Sequence, residues 1–264
     1  MDKIEYALIT GASAGVGKEM AYMLAKKQKN LVLVARSERV LQSMQKELQD
    51  SYGISVLVFA IDLSKEGAAQ RLFSFCQEKN MFISLLINNA GVGAFGESVA
   101  LGSSVLPMLY LNILSLTELC AFFGKEMKDK GRGSILNIGS IAGNQPTSFF
   151  ASYAASKSYV LNYSLALRHE LRPFGVNVTC AQPGYIRTSF DDTCNIKSEK
   201  YKRFSYKNGM SAKNVAKKAL AAVFKKRSFV RIGFTNKIVA FVSTFIPRNL
   251  LAFLMSKSIR SMTK

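Results

Sequence analysis

Histidine, cysteine and acidic residues are all scarce in this chain. Among 264 residues there is one histidine, His169, with four cysteines and five prolines. A lone histidine builds neither a Ser-His-Asp triad nor a zinc centre unaided, so hydrolase chemistry of those kinds is not expected. His169 reads as an ordinary helix-face residue. Cys76, Cys120, Cys180 and Cys194 are far apart and form no C-x-x-C pair, which excludes a zinc cage or a disulfide framework and marks them as reduced structural thiols. No metal is expected. No Pro- or Ser-rich linker divides the chain, and 48% of it is apolar, so a single domain with a sizeable core is expected. Long hydrophobic runs are missing too. The run at 238–246 is far below the roughly 20 residues of a spanning helix, and Pro247–Arg248 interrupts it before "LLAFLM" resumes. The start, "MDKIEYALITG", carries charge at Asp2, Lys3 and Glu5 and does not read as a signal peptide, so a cytoplasmic protein is the expectation.

Acids number 17 against 36 lysines and arginines, a net charge of +19. The excess is concentrated: from Asn195 onward the sole acid is Glu199, while basic residues recur to Lys264. Such a surface attracts nucleic acid, anionic lipid headgroups, or acidic carriers and phosphorylated substrates, and charge alone does not choose among them.

What the sequence does contain is alternation. Short apolar runs, "YALIT", "LVLVA", "SVLVFA", "ISLLIN", "SILNI" and "VNVTCA", are separated by segments of helical pattern near 15–28, 37–50, 65–79, 103–129 and 152–172. Near-continuous apolar strands between helices predict an α/β protein, a Rossmann-type doubly wound parallel sheet in three layers. In such sheets ligands bind beyond the carboxyl ends of the strands, so motifs at strand ends carry most weight.

The first strand ends in "TGASAGVG", where Gly11, Gly15 and Gly17 are spaced G-x-x-x-G-x-G. Glycines there allow a tight turn and close backbone approach, and the helix that follows offers free N–H groups to a pyrophosphate. The second strand ends at Ala35–Arg36, with no acid for a ribose 2′-hydroxyl. Arg36, with Ser13 and Ser37 nearby, suits a 2′-phosphate, which favours NADP over NAD. A solvated arginine at a helix start is the alternative.

In order along the chain, "TGASAGVG" (10–17), "FAIDLS" (59–64), "NNAG" (88–91), Asn112, Ser140, "YAASK" (153–157) and "PGYIRT" (183–188) resemble the signatures of the classical short-chain dehydrogenase/reductase family, over residues 4 to 190 or so. The resemblance implies catalytic roles for Asn112, Ser140, Tyr153 and Lys157. It also implies contacts with NADP(H) from Gly11, Ser13, Ala14, Gly15, Val16, Gly17, Arg36, Asp62, Leu63, Asn89, Ala90, Gly91, Tyr153, Lys157, Pro183, Gly184, Ile186 and Thr188. Tyr153 and Lys157, four apart, fall on one helix face. An ammonium beside a phenol favours the phenolate, so Tyr153 is expected to be a usable general acid and base at neutral pH. The small residues Ala154, Ala155 and Ser156 are expected to let cofactor and substrate come close. Ser140 would bind the carbonyl oxygen, and Asn112 would help hold a water in a proton relay or else be a buried amide satisfied by backbone.

The family implies that residues 189–210 close over the substrate, and that helices 103–129 and 152–172 form a homodimer. Residues 236–264 depart from the usual family ending. They read as an apolar, basic tail of two amphipathic elements appended to a domain of residues 1–235. That tail has three open uses: packing on the core, lining a lipophilic pocket, or resting on an anionic membrane. The expected substrate is a bulky hydrophobic ketone or alcohol, such as a 3-oxoacyl thioester or a steroid or other lipid ketone. NADP specificity favours reduction. The competing reading is a protein that binds NADP and uses its basic surface to engage nucleic acid or another partner. The intact Asn112, Ser140, Tyr153 and Lys157 argue against it, and no specific nucleic acid is expected.

Overall fold

A computed structural model of the chain describes residues 3–188, 190–194 and 196–263. Strands and helices alternate from the start: β1 (Ile4–Thr10), α1 (Gly15–Ala25), β2 (Leu31–Ala35), α2 (Glu38–Tyr52), β3 (Val56–Ala60), α3 (Ala68–Glu78) and β4 (Met81–Asn88). A long helical stretch follows, made of α4 (Ser98–Leu101), α5 (Leu106–Leu109) and α6 (Leu116–Asp129), joined by a 3₁₀ turn and by the π-helical segment Tyr110–Ser115. Then come β5 (Gly133–Ile138), α7 (Ala151–Leu171), β6 (Val176–Pro183), β7 (Ile186–Arg187), α8 (Phe190–Thr193), α9 (Glu199–Asn208), β8 (Met210–Ser211), α10 (Ala212–Phe224), β9 (Phe229–Ile232), α11 (Phe234–Val242) and α12 (Arg248–Thr263).

Seven strands pair in the order β3-β2-β1-β4-β5-β6-β9, all parallel. The order reverses between β1 and β4, which opens the ligand crevice at their carboxyl ends. Strand periodicity sorts the core into two layers. Ala7, Ile9, Leu31, Leu33 and Ile87 pack on α1, α2 and α10, whereas Leu8, Val32, Val34, Leu86 and Ile135 pack on α3, α6 and α7. The expected doubly wound architecture is therefore present. The sequence reading did not single out the edge strand β9, whose "FVRI" is short and carries a charge in its middle.

Among the described residues, one helical stretch, Ser98–Asp129, is long and apolar enough to cross a membrane by length and composition. Its inner side is committed elsewhere: Leu119, Cys120, Phe123 and Met127 are buried against the sheet layer. All four cysteines are buried. Burial pushes the thiols of Cys76, Cys120 and Cys180 up to about 12, which keeps them protonated and unreactive.

A polar strut runs through the second layer. Asn88 Nδ2 donates to Asn137 Oδ1 at 2.9 Å, and Asn137 Nδ2 donates to Ser164 Oγ at 2.9 Å. These bonds tie β4 to β5 and β5 to α7, and so fix the height of α7 over the sheet. In a buried setting each is costly to leave half made.

Candidate active site

The glycine turn sits where β1 hands over to α1. Gly11 and Gly15 have φ of 65° and 54°, the left-handed region that suits glycine. Gly17 is held by contact: a Cβ there would lie 2.3 Å from the Gly11 carbonyl oxygen. The N-cap Ala14 is extended and makes no side-chain cap, so the first N–H groups of α1 are offered to an anion rather than closed off. Val16 is buried, Ser13 is half-buried and Ala14 is exposed, so Ser13 and Ala14 are the members that face outward.

β2 is held beside this turn by Ala12 N–H donating to the Val34 carbonyl at 3.1 Å. Arg36, just past the strand, is exposed. Burial pushes the Asp62 carboxyl up, but hydrogen bonds from the Ser64 N–H and hydroxyl, with smaller help from the Arg36 and Lys65 charges, hold it below its ordinary range. Arg36 and Asp62 thus share one rim. Leu63 is buried in the α3/α6 layer, which leaves its backbone alone to face a ligand.

At the end of β4, Asn89 and Thr10 lock the two sides of the crevice. Asn89 Nδ2 donates to the Thr10 carbonyl at 2.9 Å and to that of Gly11 at 3.2 Å. Thr10 Oγ1 accepts from the N–H groups of Asn89 and Ala90 at 3.0 and 2.9 Å. Sequence reasoning passes over Thr10, although its place directly before Gly11 is a legible signal.

Gly91 marks the centre. A Cβ on it would lie 3.2 Å from Asn112 Oδ1 and 3.3 Å from Lys157 Nζ, so these side chains converge on one small residue. Asn112 lies in the π-helical segment, a distortion often found at functional sites. Its amide is fully engaged: Oδ1 accepts from Val92 N–H at 3.2 Å, and Nδ2 donates to the Val92 carbonyl at 3.0 Å and to Ser156 Oγ at 3.1 Å. The side-chain amide of Asn112 is thus satisfied by the Val92 backbone and by Ser156. Ser156, expected only as a small residue beside the cleft, is fully buried, and it also donates to the Tyr153 carbonyl at 2.7 Å.

Ser140 closes β5. Its hydroxyl accepts from Ala142 N–H at 3.2 Å, and its carbonyl accepts from Gln182 Nε2 at 3.3 Å. Its side chain also stands close enough to Tyr153 to lower the phenol's hold on its proton. Lys157 Nζ donates to the Ile138 carbonyl at 3.0 Å and stands 5.9 Å from the centroid of the Tyr153 ring. The expected lowering of the Tyr153 phenol by Lys157 is not what this arrangement produces. Burial drives the phenol well above its ordinary value, against the influence of Ser140, and burial also lowers Lys157 to about 8. Desolvation of each charged form is the largest cause for both groups.

The loop after β6 completes the ring. Thr188 Cγ2 would meet a Cβ on Gly15 at 3.3 Å, which places this loop against the glycine turn. Gly184 is pressed by Asn236: a Cβ there would lie 2.4 Å from its Nδ2. Pro183 is buried, and Ile186 pairs with Met210 in the two-stranded sheet of β7 and β8. Beyond it, α8 and α9 carry the expected covering segment, of which Ser189 and Asn195 lie outside the described residues. Phe190 sits 5.5 Å from Tyr153 ring to ring, and Phe150, Cys194, Ile196 and Tyr201 form a small core around them. Sequence reasoning did not single out these aromatic residues, because no spacing rule links 95, 150, 190 and 201.

Comparison with known proteins bears on this geometry. The chain is 32% identical over 194 residues to a very-long-chain 3-oxoacyl-CoA reductase of Pyrenophora tritici-repentis, covering 70% of this chain and 55% of that protein. The chain thus spans about half the length of that relative. An NADP-dependent 3-hydroxy acid dehydrogenase of Schizosaccharomyces pombe is 30% identical over 230 residues, covering 84% and 88% of the two chains. Among solved structures, a short-chain dehydrogenase from Sphingobium yanoikuyae in complex with NADPH superposes with a TM-score of 0.81 at 28% identity, over 91% of this chain and 93% of that one. The family model for short chain dehydrogenases matches residues 5–199, and the chain belongs to that family.

Proposed function

We propose that this chain is an NADPH-dependent reductase of a bulky hydrophobic ketone, reversible toward the secondary alcohol. The observation that carries this reading is the convergence of Asn112 and Lys157 on Gly91, with Ser140 beside Tyr153 beneath an aromatic cover. The uncapped start of α1 and the glycine turn fit a dinucleotide pyrophosphate. Arg36, exposed and flanked by Ser13 and Ser37, fits the 2′-phosphate that distinguishes NADP. Asp62, Asn89, Ala90 and Gly91 flank the adenosine end; Pro183, Gly184, Ile186 and Thr188 flank the nicotinamide end.

NADPH supplies a hydride to the carbonyl carbon. Ser140 donates a hydrogen bond to the oxygen as negative charge builds there. Tyr153 gives that oxygen its proton, a role that suits a phenol held fully protonated. Lys157, lowered to about 8, returns a proton to Tyr153 more readily than an ordinary lysine would. Asn112 holds Val92 and Ser156 in place behind Lys157.

The wall of Phe95, Phe150, Phe190 and Tyr201 around Tyr153 suits a long acyl chain or a polycyclic ring, in keeping with the 3-oxoacyl-CoA reductase of Pyrenophora tritici-repentis. Residues 1–235 make the catalytic domain and 236–264 the tail. A homodimer forms through the exposed apolar side of Ser98–Asp129, including Leu106 and Leu114, and through α7. The enzyme works in the cytoplasm and touches membrane through its tail.

The test is NADPH consumption with 3-oxoacyl thioesters of graded chain length beside steroid ketones and small aromatic ketones. The reading expects kcat/KM to climb with apolar size. Equal or falling values with size would reject a bulky hydrophobic substrate.

A further inference from the structure

Between the end of α10 and the start of α11, the sheet edge at β9 bears a cavity of about 310 Å³ whose lining includes Lys218, Lys225, Arg227, Arg231 and Lys237 and no acidic residue. The ion pairs among the described residues involve none of these five. Arg231 Nε is buried without a hydrogen-bond partner among the described residues. The turn that carries Lys225 and Arg227 is fixed rather than loose. The Lys226 carbonyl accepts from Arg168 at 2.8 Å, that of Arg227 from Thr179 at 2.7 Å, and that of Ser228 from Cys180 N–H at 3.0 Å. A rigid concavity of like charges is unfavourable unless an anion fills it.

The cavity is continuous with an apolar ridge, because Phe234 and Lys237 of α11 belong to both. Phe234, Ile238 and Phe241 of α11 follow one another at four and three residues, the spacing of one helix face, and Phe245 packs on Phe241 from the turn after the helix; all four are exposed, Phe234 at 77% and Phe245 at 74%. Ala240 and Ser243, between them, are buried, so the helix keeps an inner side on the protein and turns its aromatic side out. Exposed aromatic residues beside a cationic hollow match a surface with phosphates at its face and hydrocarbon beneath. A second copy of this chain fits poorly, since it would bring the same positive charge to the contact.

We propose that this face docks on an anionic lipid bilayer, with the β9 cavity taking a lipid phosphate and the α11 ridge entering the acyl boundary. The proposal gives residues and a ligand to the membrane contact suggested for the tail, and in that sense rests on it. It does not rest on hydride transfer.

The test is flotation of the full chain with vesicles of phosphatidylcholine alone and of phosphatidylcholine mixed equally with phosphatidylglycerol. The protein rises with the mixed vesicles and stays behind with the neutral ones. Lys225→Glu with Lys237→Glu, both at exposed positions, lowers partitioning about 25-fold or more, at about fivefold for each lysine lost. Phe241→Ser with Phe245→Ser lowers it as well, and NADPH turnover on a soluble ketone shows that both variants remain folded. Binding that ignores lipid charge, or that survives both pairs of changes, overturns the proposal. Loss of vesicle binding to millimolar inorganic phosphate or to duplex DNA at equal charge overturns it too, in favour of a free-anion or nucleic-acid site. A chain that floats without reducing any ketone rejects the reductase reading alone; an active chain that does not float rejects the docking surface alone.

Discussion

The Phe190 ring packs 5.5 Å from the ring of Tyr153, so the segment that follows Thr188 closes directly over the Tyr153 phenol. Phe190→Ala removes apolar contact from the substrate side without touching Ser140 or Lys157. It is expected to raise KM for a long 3-oxoacyl thioester about tenfold or more, while kcat for a small ketone changes little. Steady-state kinetics on the two substrates separates these. A collapse of kcat on the small ketone would assign Phe190 to the chemistry instead.

Arg36 is exposed. Arg36→Ala is expected to raise KM for NADPH about 10- to 100-fold through loss of a charge-assisted hydrogen bond. KM for NADH and the melting temperature should hardly move. Equal losses with both cofactors would contradict a 2′-phosphate contact.

Gly17→Ala places a methyl group 2.3 Å from the Gly11 carbonyl oxygen. The turn must open to accept it, at an expected cost of about 1–3 kcal/mol in stability. Thermal unfolding and NADPH binding report the change together, and a fully stable variant with unchanged binding would show that the turn is looser than its contacts suggest.

Lys157 carries a pH signature. Its folded value is depressed to about 8 by burial, below the value of a free lysine, so the folded chain holds that proton less tightly than the unfolded one. The penalty of a buried ammonium is present in full below about pH 8 and is lifted as pH rises from there toward the unfolded value, with stability gained over that window. Relative to Lys157→Met, the wild type should therefore gain melting temperature between about pH 8 and 10. A gap that stays constant with pH would mean that Lys157 is not desolvated.

Much of this was legible from residue pattern. The first six strands of the sheet and the helices between them follow from apolar runs and helical periodicity, because a parallel strand buried on both faces must be apolar along its whole length. Asn112, Ser140, Tyr153 and Lys157 meet because they stand at carboxyl ends of strands or on the helices facing them, a rule of topology that a sequence reading can use. Thr10 and Ser156 were harder, since a threonine or serine shows its role only when its partner is seen. The reversed protonation tendencies of Tyr153 and Lys157 were not legible at all. They depend on how completely Phe190, Phe150 and Cys194 exclude water, and no local spacing reports that. The tail resolves into two helices divided at Pro247, as its pattern suggests, with an inner side on the protein at Ala240 and Leu251.

The most direct measurement compares wild type and Tyr153→Phe for NADPH binding and for NADPH consumption with a long-chain 3-oxoacyl thioester. The account predicts that both proteins bind NADPH alike, while the variant loses about 10²- to 10⁴-fold in kcat for want of the proton donor. Turnover by Tyr153→Phe at the wild-type rate would contradict the assignment of the proton to Tyr153, and absence of NADPH binding in the wild type would contradict the reductase account as a whole.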